Sequence, residues 1–523
     1  PNSYAAIVGT LGFVALGALI QRARDQEESG WIGAAAILVA PALVMPFFTG
    51  SKTALATAIV GGALLYGAIA FADRLSNRFR KMFFGSLGVI ALGAVLLILF
   101  GMMRGGLPGA SLDFRWNYWT GAAGMIAERP LLGTGWENFG DAYLAHRVPR
   151  AAEEIKDPHN FVVRFFTELG IIGGVLALAG LIRLAWEATR PISLVATATP
   201  GRGELAWIGW TGIATLIISA LAAIDFSQNP DVWTFELLKR VLYALLLAGG
   251  ALVVVLRLRG GMRAEDRPAP LLAIAMTVAG GVLLLHSTVD FAMFEVSGGL
   301  ILATLAGSLA GLRMPSAAGR RRARTLPWIS AIAATLVWAG AALLIAWPVS
   351  SAEDAAHRGD QAATRGLLPE ASQYYEQAIA NAPVTNAAYF DRLIGVLIAL
   401  NEEPTRVRNI LARRLAADPA SPISYLGRAR YEAGLPADIG RHEQAIADYR
   451  QAVRLNPYEL SIREEFAAML IRLDKPQLAI EQLEMQLWIN DRLDPAEPER
   501  LRPEQAESIR SRIAALRNSA GND

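Results

Sequence analysis

The chain has 523 residues, of which 53% are hydrophobic and 18% are charged, and its net charge is +2. This length exceeds one ordinary domain, and so apolar a composition excludes a purely soluble protein of this size. The chain contains no cysteine. Disulfides, thiol catalysis and cysteine-ligated metals are therefore excluded.

Residues 1–350 contain about ten apolar stretches, each long enough to cross the ~30 Å hydrocarbon core of a bilayer as a helix. The chain begins at Pro1 without a cationic signal peptide, and we expect further spans to precede it. The predicted spans lie near 4–20, 31–48, 53–72, 83–103, 161–182, 205–224, 237–256, 270–290, 296–312 and 327–348.

The positive charges of the short loops alternate along the chain. Lys52 is the sole cation in the three loops 49–52, 225–236 and 291–295. By the positive-inside rule the cation-rich loops are cytoplasmic, which predicts that the polar insert 104–160 and the tail 351–523 both lie outside. The cation-rich loops are 21–30, 73–82, 183–204, 257–267 and 313–324.

The insert begins with an arginine among aromatic residues, Arg115 beside Trp116 and Trp119. Aromatic residues alone indicate a membrane-surface belt. An arginine among them can hold a phosphate through two hydrogen bonds, which lysine cannot do. A surface salt bridge between Arg115 and Asp113 is the alternative that the residues leave open.

A histidine closes the insert, just before an apolar helix. Asp157 or Asn160 could cap that helix, whose N-terminus favours a nearby anion. His159 could accept a proton from an incoming hydroxyl near neutral pH, although a lone histidine is more often structural. The residues alone leave both roles open.

Further cations could complete an anion site. Arg164 and Glu168 are four residues apart on one helix and could pair, as a structural ion pair or as functional groups. Lys239 and Arg240 begin a span on the outer side, where snorkelling is the alternative role. The candidate substrate-binding residues are Lys52, Arg104, Trp116, Trp119, Asn160, Arg164, Glu168, Lys239 and Arg240.

Two other motifs are weaker. The segment Gly133-Thr134-Gly135 lacks the lysine and the preceding strand of a phosphate-binding loop, and a tight turn is the better interpretation. His286 and Asp290 are four apart on the predicted helix, which favours a hydrogen bond over a metal site because no third ligand is evident. We expect no metal and no cofactor.

The tail 351–523 contains a diverged repeat. The segment 369–383 resembles 442–459, and Pro383, Pro419 and Pro457 recur at intervals close to the ~34-residue period of tetratricopeptide repeats. Small residues such as Ala378 and Ala452 would let paired helices approach. We predict three to four repeats forming a binding solenoid, with a generic helical bundle as the alternative.

The order of several motifs resembles the O-antigen ligase/polymerase superfamily of bacterial membrane glycosyltransferases, over roughly residues 30–312. The arginine-aromatic segment leads into PLLGTGWENF, from Pro130 to Phe139. His159-Asn160 then opens a helix that contains ELGIIG, and His286 to Phe291 forms a late HSTVDF. The family usually has Ser-Arg where this chain has Ser51-Lys52, which weakens a phosphate role for Lys52.

The resemblance implies transfer of a glycan from undecaprenyl pyrophosphate to an acceptor hydroxyl at the periplasmic face of the bacterial inner membrane, without a metal. His159 and Arg115 would be the catalytic residues. The expected partners are the bilayer, the lipid-linked glycan donor, a glycan, lipid or protein acceptor, and a protein bound by the tail; nucleic acid is not expected.

The predicted fold is all-α. It comprises a polytopic transmembrane helical bundle over residues 1–350 with a periplasmic helical insert, and a C-terminal TPR-like α-solenoid over 351–523. Two other functions remain open at this stage, a protein O-oligosaccharyltransferase and a non-catalytic transporter or flippase for a lipid-linked glycan. The charges collect at the outer ends of the spans, which favours chemistry at the surface over transport.

Overall fold

A computed structural model describes residues 2–24, 52–70, 79–190 without 152, 270–313, 336, 339–340, and 342–520 without 437–438 and 494–496. Every regular element in these ranges is a helix, as expected for an all-α chain. The predicted spans 31–48, 205–224 and 237–256, and most of 327–348, lie outside the described residues.

Within the described residues, eight helices form the membrane half and the insert. They are α1 (Asn2–Arg24), α2 (Lys52–Ala70), α3 (Phe79–Arg104), α4 (Ala110–Glu128), α5 (Phe139–His146), α6 (Phe161–Ala188), α7 (Pro270–His286) and α8 (Val296–Arg313). The predicted spans within the described ranges coincide with α1, α2, α3, α6, α7 and α8.

Two of the described helices, α3 and α6, are long and apolar enough to cross a membrane. The apolar segments of α1, α2, α7 and α8 are shorter. The side chains of α3 are almost all exposed from Leu87 to Phe100, as expected for a helix whose surroundings are lipid. The two helices flank the polar insert in the sequence, so the insert connects two candidate spans.

The core of the membrane half is built around α7, which packs against α1, α2 and α8. Small residues let the helix backbones approach one another. A Cβ atom on Gly17 of α1 would lie 2.0 Å from the Cβ of Ala275, and one on Gly61 of α2 would lie 2.5 Å from Val282. Close approach through small residues is the usual mode of helix association within lipid.

The tail is a succession of helices in which each element packs against its neighbours in the chain. A π-helix (Ala342–Ala346) leads into α9 (Trp347–Thr364), which runs across the predicted domain boundary at residue 350. The remaining helices are α10 (Leu368–Asn381), α11 (Ala387–Ala399), α12 (Pro404–Ala417), α13 (Pro422–Gly434), α14 (His442–Leu455), α15 (Leu460–Arg472), α16 (Pro476–Asn490) and α17 (Pro503–Ala520).

The repeated prolines have the same structural position each time. Pro383, Pro419 and Pro457 each lie two residues beyond the end of a helix, α10, α12 and α14 respectively. Proline cannot continue a helix because it lacks the N–H donor and its ring clashes with the preceding turn. Ala378 and Ala452 are fully buried in the helices that precede two of these prolines. The sequence repeat therefore corresponds to a repeated helix ending.

Candidate catalytic site

The Arg115 side chain joins α4 to the segment that follows α7. Its Nε donates a hydrogen bond of 3.0 Å to the carbonyl oxygen of Val289, and its Nη1 donates to Ser111 O (2.7 Å) and Ser111 Oγ (2.5 Å). Asp113 pairs instead with Arg150, at 3.5 Å. The salt bridge between Arg115 and Asp113 that the sequence left open is therefore absent from the described contacts.

His159 lies in a turn with a left-handed backbone, φ 52°. The turn is fixed because its backbone N–H donates to Asp157 Oδ1 at 2.7 Å. The imidazole ring lies between Tyr118 and Phe291, with ring centres 6.1 and 5.4 Å away. Strain of this kind at a non-glycine residue is common at functional sites, where the surrounding contacts hold the side chain in place.

Asp290 is the carboxylate that faces this histidine. Its Oδ1 lies 4.0 Å from His159 Nδ1, and its Oδ2 lies 3.4 Å from His286 Nε2. The backbone N–H of Phe291 also donates to Oδ1, at 2.8 Å. The helix ends at His286, so the expectation that Asp290 shares its helical face was wrong, although the hydrogen bond between them was predicted correctly.

The HSTVDF segment is also fastened to the start of α6. The N–H of Phe161 donates to the carbonyl oxygen of Ser287 at 3.0 Å, and Ser287 Oγ accepts from Met293 N at 3.1 Å. His159 and Asp290 are thus held by backbone hydrogen bonds between two segments about 130 residues apart. Arg115, from a third segment, contacts the same turn through Val289.

The electrostatics of the site favour a neutral imidazole beside a cation. Burial lowers the pKa of His159, and the charge of Arg115 lowers it further, while Asp157 and Asp290 act in the opposite direction. Burial also lowers the pKa of Arg115, against the opposing effect of Asp290 and Glu153. An arginine stays protonated in proteins, so the site combines a positive charge with a histidine that can accept a proton.

Asn160 is the N-cap of α6. Its Oδ1 accepts hydrogen bonds from Val162 N (2.9 Å) and Val163 N (3.2 Å). This satisfies two of the backbone donors that a helix N-terminus leaves open. The side-chain oxygen of this candidate substrate-binding residue is therefore engaged in capping.

Arg164 is surrounded by three carboxylates. Its guanidinium contacts Glu168 (3.1 Å), Asp157 (2.8 Å) and Glu137 (2.5 Å), and it lies over the rings of Trp136 and Phe294. The pairing of Arg164 with Glu168 follows the predicted spacing. Because Arg164 is only 5% exposed and its charge is already compensated, this geometry favours a structural role over contact with a substrate phosphate.

The PLLGTG segment fills a break in α6. Gly170 has φ 67° and ψ −172°, which interrupts the helix. Thr134 N and Gly135 N donate to the carbonyls of Thr167 and Glu168, and Ile171 N donates to Pro130 O, at 2.7–2.9 Å. The segment is a turn, as predicted, and it pairs the backbone groups that the break frees. Such pairing is required where irregular backbone lies near lipid.

The two tryptophans connect the insert to its surroundings. The ring of Trp116 lies directly against Gly101 of α3, where an added Cβ would be 2.6 Å from it. Trp119 Nε1 donates to the carbonyl of Pro158 at 3.2 Å, one residue before His159. Both candidate residues therefore contact elements that position the site.

None of the described contacts joins a further candidate cation to His159. Arg104 is exposed at the end of α3, with its guanidinium 5.9 Å from the ring centre of Phe100. Lys52 is the first residue of α2. Lys239 and Arg240 lie outside the described residues.

Sequence reasoning missed two groups. It treated Asp290 as a partner of His286 alone, and it gave no role to Glu137, which contacts Arg164. The HSTVDF and PLLGTGWENF motifs contain both residues and could have pointed to them. The carbonyl of Val289 could not have been found, because no side-chain pattern marks a backbone acceptor.

Residues 34–178 match the family model described as O-antigen ligase. This segment is similar to the O-antigen ligase domain. The resemblance seen in the sequence is confirmed over these residues, which include Arg115, His159 and the break at Gly170. The family is one of membrane proteins of glycosyltransferase type that act in polysaccharide biosynthesis. The HSTVDF segment lies beyond the matched range and is linked to the O-antigen ligase domain by its contacts with Arg115 and Phe161.

No curated protein matches the chain. Among solved structures, the crystal structure of yeast Tom70 is similar at 10% identity, with 88% of this chain and 96% of that chain covered and a TM-score of 0.19. A TM-score this low supports no conclusion about fold or function.

Proposed function

We propose that the protein transfers a glycan from undecaprenyl pyrophosphate to an acceptor hydroxyl at the periplasmic face of the bacterial inner membrane. The O-antigen ligase domain supplies the class of reaction. The donor, the acceptor and the side of the membrane are our inferences from the site.

The observation that carries the proposal is the meeting of Arg115, His159 and Asp290, which come from three separate segments. A half-buried histidine of lowered pKa lies beside a carboxylate, and a cation is hydrogen-bonded to the turn that holds this carboxylate. These groups supply a base and a positive charge for glycosyl transfer. A transport pathway would not require a base oriented by a carboxylate.

In the proposed reaction the acceptor oxygen attacks the anomeric carbon as the bond from that carbon to the phosphate oxygen breaks. The hydroxyl proton moves to His159 Nε2, because Nδ1 faces Asp290 and carries the other proton. The electron pair of the broken bond leaves with undecaprenyl pyrophosphate. The 4.0 Å between Nδ1 and Asp290 is longer than a hydrogen bond and would shorten when the imidazolium forms.

Arg115 would stabilise the negative charge that grows on the pyrophosphate. Its Nε and Nη1 are held by Val289 and Ser111, while Nη2 makes no hydrogen bond within the described residues and would contact the phosphate. A pyrophosphate is already a good leaving group, so we propose that no metal takes part.

Arg164, Glu168 and Asn160 would position the site rather than bind the substrate. Their contacts hold the first turns of α6, which directly follow the turn that contains His159. Trp116 and Trp119 would fix α4 to α3 and to Pro158. Lys52, Arg104, Lys239 and Arg240 remain proposed contributors to donor binding at the outer ends of spans.

We propose a domain boundary near residue 350 and a tetratricopeptide-like solenoid after it. The insert and the tail touch, since Asn456 Nδ2 donates to Glu154 Oε1 at 2.8 Å and Arg147 Nη2 lies 3.4 Å from Glu459 Oε2. Parts that touch lie on one side of a membrane. This supports the expectation from loop charges that both are periplasmic.

The test uses purified protein, a radiolabelled glycan on undecaprenyl pyrophosphate, a panel of glycan, lipid and peptide acceptors, and EDTA. Wild type should release undecaprenyl pyrophosphate, whereas folded His159→Ala and Arg115→Ala variants should not. Arg358→Ala, which removes an exposed cation of the tail, is the matched control and should retain most of the transfer.

Near-wild-type turnover in either alanine variant would overturn the assignment of the site. If wild type transfers glycan to none of the acceptors but still binds the lipid-linked glycan, the result would favour transport. The acceptor that reacts would decide between ligase, polymerase and protein O-oligosaccharyltransferase activity.

A further inference from the structure

A cavity of about 340 Å³ lies between the insert and the tail. One wall is the end of α4 and one face of α5. The opposite wall is the turn between α12 and α13, from Ala417 to Ala420, together with Leu455. Neither part of the chain contains this cavity alone.

Several contacts join the insert to the tail near the cavity. α5 packs against α14, and Arg147, directly after α5, is 2% exposed and reaches Glu459. Glu154 accepts a hydrogen bond from Asn456, which lies with Glu459 in the turn between α14 and α15. The cavity volume lies at the low end of the range of small-ligand pockets, ~300–1,000 Å³.

The lining combines hydrogen-bonding side chains with a small apolar surface. Alanines and a proline, including Ala142, Ala145 and Pro419, leave room for a ring to pack flat against the wall. The lining contains both side chains that accept hydrogen bonds and side chains that donate them. They are Glu128, Arg129, Asn138, Asp141, His146 and Asp418.

The charges of the two walls restrict the ligand. Asp141 on α5 and Asp418 on the tail repel each other. Burial raises the pKa of Asp141 and the charge of Asp418 raises it further, while Arg414 and Lys156 act in the opposite direction. Two carboxylates in this position are stabilised by hydroxyl or N–H donors and destabilised by another anion. The polar lining also excludes a purely apolar ligand.

We infer that this cavity binds a sugar unit of an uncharged or amino-bearing glycan through its hydroxyl and N–H groups. Sugar hydroxyls both donate and accept, which matches the mixed lining, and the apolar face of a pyranose ring matches the alanine and proline wall. The inference deepens the proposed function, because it rests on the O-antigen ligase domain acting on glycans and gives the tail a direct part in holding one.

The experiment measures binding separately from transfer. Saturation-transfer NMR and titration on the full chain in nanodiscs would use chitotetraose, maltotetraose and cellotetraose as uncharged probes. Tetragalacturonate would be the anionic probe, and a Gly-Ser hexapeptide the peptide probe. We expect at least one uncharged tetrasaccharide to bind and tetragalacturonate not to bind.

Asp418→Ala should weaken that binding about tenfold, the usual effect of losing a hydrogen bond to a charged group. Asp354→Ala is the matched control. Each of these aspartates pairs with an arginine four residues away, Asp418 with Arg414 at 3.6 Å and Asp354 with Arg358 at 2.7 Å, but Asp354 is far from the cavity in the chain. Ala420→Trp, at an exposed position on the rim, should block binding by filling the space.

Equal binding by Asp418→Ala and Asp354→Ala would overturn the inference, as would binding of tetragalacturonate or the hexapeptide in preference, or no binding of any uncharged probe. Glycan transfer without binding at the cavity would leave the proposed function intact and would contradict the sugar site. Binding that Asp418→Ala weakens, in a protein that shows no transfer, would support the sugar site and contradict the proposed function.

Discussion

Gly133 and Gly170 face each other backbone to backbone, with no room between them for a side chain. A Cβ on Gly133 would lie 2.5 Å from the carbonyl carbon of Glu168, and one on Gly170 would lie 2.3 Å from the carbonyl oxygen of Leu131. Both residues have a positive φ, of 69° and 67°. The break in α6 and the turn that fills it therefore depend on each other, and together they set the direction of α6, the helix that follows His159.

Gly170→Ala should destabilise the protein strongly. The backbone of Gly170 (φ 67°, ψ −172°) lies in a region that is essentially restricted to glycine, which costs a residue with a Cβ about 1–3 kcal/mol, and the clash with Leu131 adds to it. We expect a lower midpoint in thermal unfolding of the detergent-purified protein. Gly180→Ala lies on the same helix in open space and is the control. Equal midpoints for the two variants would mean that the contact between the glycines is not rigid.

The transfer rate should fall at low pH with the titration of His159. Burial lowers the pKa of this residue, so the neutral base is present at neutral pH and is lost only as the pH falls through the lowered pKa. The measurement is kcat/KM against pH for wild type. A profile whose acid limb lies above the ordinary range of a histidine would contradict the role of His159 as the base.

Asp290→Asn should show whether Asp290 acts on the His159 imidazole or only stabilises the fold. Asp290 raises the pKa of His159, so removing its charge should move the acid limb to lower pH. The maximal rate should also fall, by about tenfold to a hundredfold, because the imidazolium formed during transfer loses its partner. Thr288→Val, two residues away, is the control. A slower variant with an unchanged acid limb would assign Asp290 a structural role only.

Arg164→Met should lower stability rather than substrate affinity. Removing the guanidinium leaves Glu137, Asp157 and Glu168 close together, with Glu168 only 1% exposed. Loss of one partner from such a buried set usually costs about 3–5 kcal/mol. Arg104→Met, at an exposed position, should leave the unfolding midpoint unchanged. A stable Arg164→Met protein with a raised KM would instead place Arg164 at the substrate.

The helices and the relevant segments of the site could be predicted from the sequence, because long apolar runs and repeated prolines are local features. Spans near 83–103 and 161–182 coincide with α3 and α6, and each of Pro383, Pro419 and Pro457 follows the end of a helix. The cap at Asn160 and the ion pair of Arg164 with Glu168 also follow from short-range spacing.

The parts that could not be predicted depend on distant segments meeting. Nothing in the spacing of Arg115 shows that it bonds to Val289, 174 residues later, rather than to the nearby Asp113. The approach of Asp290 to His159 requires knowledge of how the start of α6 and the end of α7 meet. The contact of Arg147 with Glu459 spans 312 residues and joins two parts that the sequence treats separately.

That last contact gives a test of whether the tail is docked on the insert in solution. Arg147→Met keeps the apolar stem of the side chain, and Glu459→Gln keeps an acceptor for Ser461, so a double-mutant cycle isolates the pair. We expect the two single variants to lower the free energy of unfolding and the double variant to show a coupling of about 1–3 kcal/mol.

Glu153, whose pKa is raised by burial and then by the tail residue Glu499, is a further sign that the tail lies near the insert. Additive effects in the cycle would mean that Arg147 and Glu459 do not interact. The cavity between α5 and the α12–α13 turn would then lose one of the two contacts that close it.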